Sequence, residues 1–162
     1  ASGCVDHTAR LWRLADGSFR SFDAGGYGVV QLGFSPDAAT LYSLSYGEML
    51  LRRFEAESGA PLPPITGHQG PLAAFSFSAD GRRMITRAWD RTARIVDVAS
   101  GKGRALRGHP DSVCGAELGA GAHVAVTLGC KGTVRAWPDD LPETIPELRQ
   151  WIDAATPDRV EH

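Results

Sequence analysis

Asparagine is absent from this sequence, and lysine occurs only twice, at Lys102 and Lys131. Alanine, glycine and arginine abound instead, and their codons are GC-rich, which points to a GC-rich bacterial genome. No apolar run approaches the ~18 residues that a membrane-spanning helix needs, and no charged-then-apolar leader opens the chain. A cytoplasmic protein is therefore expected. Charge of one sign is also lacking: 17 Lys and Arg against 19 Asp and Glu leave a formal net charge of −2. A general binder of nucleic acid or anionic membrane needs a concentrated basic surface, and here the arginines are scattered, so neither partner is expected. Cysteine is scarce, with Cys4, Cys114 and Cys130 an odd number in separate segments. That favours reduced thiols over a disulfide framework. A zinc site drawing on Cys114, Cys130 and His109 or His123 matches no ordinary ligand spacing, so no metal and no cofactor is expected.

What is present is a period. Gly17, Gly59 and Gly101 each close a short polar step and stand 42 residues apart. Just before them lie the apolar positions Trp12, Phe54 and Val96, and Trp137 continues that series. A second register agrees: GFSPDAATLYSLS at 33–45, SFSADGRRMITRA at 76–88 and the degenerate ELGAGAHVAVTLG at 117–129. Each unit reads strand, turn, strand, turn, strand. PLAAFSFS is a strand burying Leu72, Ala74 and Phe75 or Phe77, and ADGR is a turn. RMITRA, WDRT and ARIVDV then give strand, tight turn and strand. Short antiparallel strands repeated every forty-odd residues are the pattern of β-propeller blades.

Gly67-His68 and Gly108-His109 open two of these units, and Val96-Asp97, Phe54-Glu55, Trp12-Arg13 and Trp137-Pro138 close their third strands. On these motifs residues 1–138 resemble WD40 repeats. The resemblance implies an all-β fold, a partial WD40 β-propeller of about three and a half blades. It would comprise a partial blade at 1–22, blades at 23–66, 67–107 and 108–138, and a helical tail at 139–162. Trp89-Asp90 is not the family dipeptide, because it falls one element earlier, in the turn between the second and third strands. In the tail, Thr144, Pro146 and Glu147 start a helix whose apolar face is Ile145, Leu148, Trp151, Ile152 and Ala155, with Pro157 ending it. Three and a half blades leave open strand edges. Two readings follow: the C-terminal part of a longer protein whose other blades stand in cis, or a half-propeller that dimerises.

His68, Thr86 and Asp90 mimic a nucleophilic triad. The resemblance instead implies a structural hydrogen-bond network, repeated in part as Ser2, Asp6 and Trp12 and as His109, Thr127 and Trp137. Lys131 stands where the fourth turn expects Asp. Repeat two keeps Ser43 but has Gly25 and Gly47 at the His and Asp positions. No nucleophile elbow or phosphate loop occurs, and Asp139-Asp140 reads as the end of a strand rather than a metal site. No catalytic residue is assigned. The expected function is a non-catalytic scaffold for a protein or peptide partner, with the residues before the turn aspartate, Val5, Tyr46, Trp89 and Cys130, as the candidate contacts. Tails of this kind resemble those of bacterial WD-repeat regions fused to kinase, protease or NTPase domains. A sensory or autoinhibitory propeller controlling such an upstream domain is therefore the alternative, and an enzyme with a channel-mouth site the second.

Overall fold

The computed structural model describes residues 1–119 and 124–138. The expected C-terminal helix, Asp139-Asp140 and His123 lie outside the described residues. Within them there are strands and turns and no helix. β1 (Ser2–Gly3), β2 (Thr8–Trp12) and β3 (Phe19–Asp23) form the first sheet. The second holds β4 (Val29–Phe34), β5 (Thr40–Ser45), β6 (Leu51–Glu55) and β7 (Pro61–Ile65). The third holds β8 (Leu72–Phe77), β9 (Arg83–Ala88), β10 (Ala93–Asp97) and β11 (Gly103–Leu106). The fourth holds β12 (Val113–Leu118), β13 (Val124–Gly129) and β14 (Val134–Pro138). Each is an antiparallel meander in which consecutive strands pair.

The sheets lie side by side and bury their faces on one another. One core is made by Tyr42, Leu44, Leu51 and Ile65 of the second sheet against Leu72, Phe75, Met84 and Val96 of the third. The next is made by Ile85, Ala93, Ile95 and Leu106 of the third against Val113 and Ala125 of the fourth, with Trp137 packed on it. Alternation within a strand therefore serves two cores at once. Met84 and Val96 face the preceding sheet while Ile85 and Ile95 face the following one. This is radial stacking of modules, each supplying the apolar cover its neighbour lacks.

The first strand of the second, third and fourth sheets departs from alternation. Pairing shifts between Val29 and Gln31, between Leu72 and Ala74, and between Val113 and Gly115. Each shift is a bulge, one extra residue opposite the partner strand. It corrects the expected burial of β8: Leu72 and Phe75 share the buried face, and Ala74 does not join them. At the first bulge the Gln31 side-chain amide crosses to the next module. It donates to the Phe75 carbonyl at 2.9 Å and accepts from the Phe75 N–H at 3.2 Å, so one side chain imitates a strand's backbone.

Candidate functional site

The third module brings His68, Thr86 and Asp90 together. His68 Nδ1 donates to Asp90 Oδ2 at 3.0 Å, and His68 Nε2 accepts from the Thr86 hydroxyl at 2.9 Å. Burial pushes the His68 imidazole below its ordinary pKa despite the pull of Asp90. The ring is thus neutral near pH 7, and the network fixes its proton on Nδ1. Burial alone would raise Asp90, but donors from the Gln69 N–H, Thr92 and His68 outweigh it and hold the carboxyl below its usual value. The Gln69 N–H stands at 2.8 Å, and the Thr92 N–H and hydroxyl at 3.0 and 2.7 Å. This is a buried polar network with its donors spent. Thr86 is 1% exposed, and the side chain of His68 3%. A hydroxyl so enclosed cannot reach a substrate, but it can hold the incoming loop against the turn.

The other modules vary this device. In the fourth, the Trp137 indole donates to Thr127 Oγ1 at 2.7 Å, and the Thr127 hydroxyl donates to His109 Nε2 at 2.7 Å. Lys131 supplies no carboxylate, yet the turn is still anchored. Asp111, in the incoming loop, accepts from the Lys131 backbone N–H. In the third module the loop backbone donates to a turn aspartate, and in the fourth the turn backbone donates to a loop aspartate. Sequence comparison by position misses that exchange, because backbone donors are invisible to it.

In the first module the Trp12 indole donates to Ser2 Oγ at 2.8 Å. Asp6 instead caps its own turn, accepting the Thr8 N–H at 3.0 Å and the Thr8 hydroxyl at 2.6 Å, and the Thr8 hydroxyl leads the causes that lower its pKa. In the second, Ser43 Oγ is buried without a partner among the described residues. Glu48 takes over the turn by gripping Arg52 at 2.6 and 3.1 Å. Gly25, at φ 71°, allows this: a Cβ there would sit 2.4 Å from the Arg52 guanidinium.

The turns between second and third strands line one rim. Tyr46 N–H donates to the Gly28 carbonyl at 2.8 Å, Trp89 N–H to Pro71 at 2.9 Å and Cys130 N–H to Ser112 at 2.9 Å. The turns of the first two modules also receive the start of the next module: the Val29 N–H donates to the Cys4 carbonyl, and the Leu72 N–H to Glu48. The backbone fixed this way holds large apolar side chains out in solvent. Val5 is 82% exposed, Tyr46 67% and Trp89 65%, so Trp89 does not pack between blades. Tyr27, 80% exposed, joins them from an incoming loop, its ring 3.3 Å from where a Cβ on Gly47 would lie. The period of the turns gave no signal for it.

Cys130, the fourth member of this series, differs from expectation. Cys114 and Cys130 are joined as a disulfide, their Cα atoms 5.0 Å apart, and only Cys4 is free. The expectation of reduced thiols rested on an odd number of cysteines in separate segments, with Cys114 and Cys130 themselves 16 residues apart. Antiparallel pairing cancels that separation. Val113 lies opposite Gly129, and the bulge that follows places the extra residue, Cys114, beside this pair and within reach of Cys130. Bonded to each other, these cysteines offer no thiolate to zinc.

Four antiparallel sheets stacked radially around repeated loop-to-turn networks have the fold of a partial WD40 β-propeller. Residues 59–97 match the family model of the WD domain, G-beta repeat. Among curated relatives, the chain is 30% identical over 101 residues to the Protein LST8 homolog of Dictyostelium discoideum, a match covering 60% of this chain and 33% of that protein. It is 27% identical over 143 residues to the Target of rapamycin complex subunit wat1 of Schizosaccharomyces pombe, covering 88% of this chain and 45% of the relative. Similarity to the Target of rapamycin complex subunit LST8 of Saccharomyces cerevisiae is 28% over 100 residues, 61% of this chain and 33% of that one. The chain thus spans between a third and a half of these relatives. All three are eukaryotic and lend no support to the bacterial origin read from composition.

Proposed function

We propose that the chain is part of a non-catalytic WD-repeat scaffold that captures another protein or peptide on the turn rim. The observation that carries this is the run of Val5, Tyr27, Tyr46 and Trp89, all exposed and all set on turns pinned by backbone hydrogen bonds. Contiguous apolar patches on a folded surface mark interaction sites. Rigid aromatics are effective anchors because they bury much area for little lost entropy. Two of the relatives are named as subunits of a target of rapamycin complex, which is in keeping with a scaffold in an assembly. The greater length of the relatives supports further blades in cis within a larger protein. A bacterial regulatory setting, read from composition, and a cytoplasmic one, read from the sequence pattern, belong to the same proposal.

The experiment places a photo-crosslinking residue at Tyr46 and, as a control, at Ser58 on an opposite turn. Cross-linked partner is expected from the first and not the second. Trp89→Ala should weaken capture by about 2 kcal/mol, near thirtyfold. Undiminished capture by that variant would remove Trp89 from the contact surface.

A further inference from the structure

We propose that the Cys114–Cys130 disulfide is a thiol–disulfide exchange site on the rim, opened by low-molecular-weight thiols. The bond occupies a position the repeats define. In the second, third and fourth sheets the bulged residue of the first strand and the residue that opens the second turn hold equivalent positions: Val30 and Tyr46, Ala73 and Trp89, Cys114 and Cys130. Blades two and three hold this place without a covalent link, through the Tyr46 and Trp89 N–H bonds to Gly28 and Pro71. Blade four keeps the equivalent bond from Cys130 to Ser112. The disulfide is therefore additional to a turn already anchored, and its opening leaves the sheet its ladder. Both cysteines are exposed, and exposed disulfides are the labile, regulatory kind.

The bond also forms one wall of a small crevice, about 40 Å³, whose other residues include Ala73, Arg87, Trp89 and Val113. Arg87 reaches the Val113 carbonyl at 3.2 Å. Opening the bond thus changes the surface beside Trp89, an exposed aromatic of the rim. The chemistry balances with two thiols. A thiolate attacks one sulfur and forms a mixed disulfide as the S–S bond breaks, and the other cysteine leaves as thiolate and takes a proton. A second thiol attacks the mixed disulfide, so that the pair of thiols becomes a free disulfide and both cysteines become thiols. Two electrons pass to the protein.

The test uses the full chain, iodoacetamide labelling with peptide mapping, and dithiothreitol or reduced glutathione without denaturant. Before reduction only Cys4 should be labelled. After it, Cys114 and Cys130 should each gain a label while the far-UV spectrum stays that of a β-sheet protein. Cystine quenches indole on contact, so tryptophan emission should rise on reduction, and the rise should vanish in W89F and in C114S/C130S. Labelling of both residues without reductant overturns the proposal, as does blockage until denaturant is added or loss of the sheet signal on reduction. That opening the bond alters partner capture rests on the rim as the interaction surface. Capture equal in both redox states, with labelling as expected, overturns that consequence and leaves the exchange site standing.

Discussion

Thr86 and Ser43 occupy the same point in neighbouring blades, opposite Arg94 and Arg52 of the next strand, and both are fully buried. Their surroundings differ. Thr86 gives its proton to His68, whereas Ser43 has no partner among the described residues. Removing one side of a buried hydrogen bond leaves the other desolvated at a cost of about 1–3 kcal/mol, while removing an orphan relieves a cost already present. Thr86→Val should therefore destabilise the chain by about 1–3 kcal/mol, and Ser43→Ala should be neutral or stabilising. Urea midpoints of the two variants, at unchanged slope, decide the matter. Equal losses would mean that the histidine contributes nothing to holding its blade.

At the scale of elements, the bulge in the first strand links one blade to the next. Gln31 meets both backbone groups of Phe75, so Gln31→Leu strands an N–H and a carbonyl inside the blade boundary. A loss of about 1–3 kcal/mol is expected, with faster hydrogen exchange at the Phe75 amide. Unchanged exchange would show that solvent already serves that amide. Much of the element plan was legible in the sequence. Phe54, Val96 and Trp137 fall on the third strands of their sheets and Trp12 on β2, the matching strand of the first, as their spacing required, and Trp89-Asp90 stands in the turn before a third strand. The loop-to-turn contact of His68, Thr86 and Asp90 was also readable, because those residue types recur in partial copies. Three features were not. A bulge inserts one residue without a composition signal, which is why Ala74 was expected on the face that Phe75 takes. The cysteine pairing depends on register, which a separation of 16 residues hides. The exchange of Asp111 for a turn aspartate runs through a backbone N–H, which every residue but proline carries.

For the whole molecule, the repetition makes the two ends complementary. Each third-strand landmark faces the preceding blade: Phe54 lies 4.6 Å from Phe22, and Val96 and Trp137 sit in the cores shared with the blade before. By the same geometry Trp12, stacked on Phe19 at 4.7 Å, faces where an earlier blade would stand, and both are exposed. At the other end Val124, Val126 and Leu128 alternate along the outward face of β13, also exposed. The two surfaces are different, so each joint is head-to-tail, and such joints either close a ring or run on into a filament. Covering the part of each large side chain still exposed is worth about 1 kcal/mol. The isolated chain should therefore associate as its concentration rises, read by light scattering on a size-exclusion column. Trp12→Ser at one end or Val126→Thr with Leu128→Thr at the other should each suppress association, since either removes one half of every contact. Threonine keeps strand propensity, so loss of association there would not come from loss of the strand. A monodisperse monomer at high concentration would show that neither end face drives assembly, and would remove the dimeric half-propeller with it.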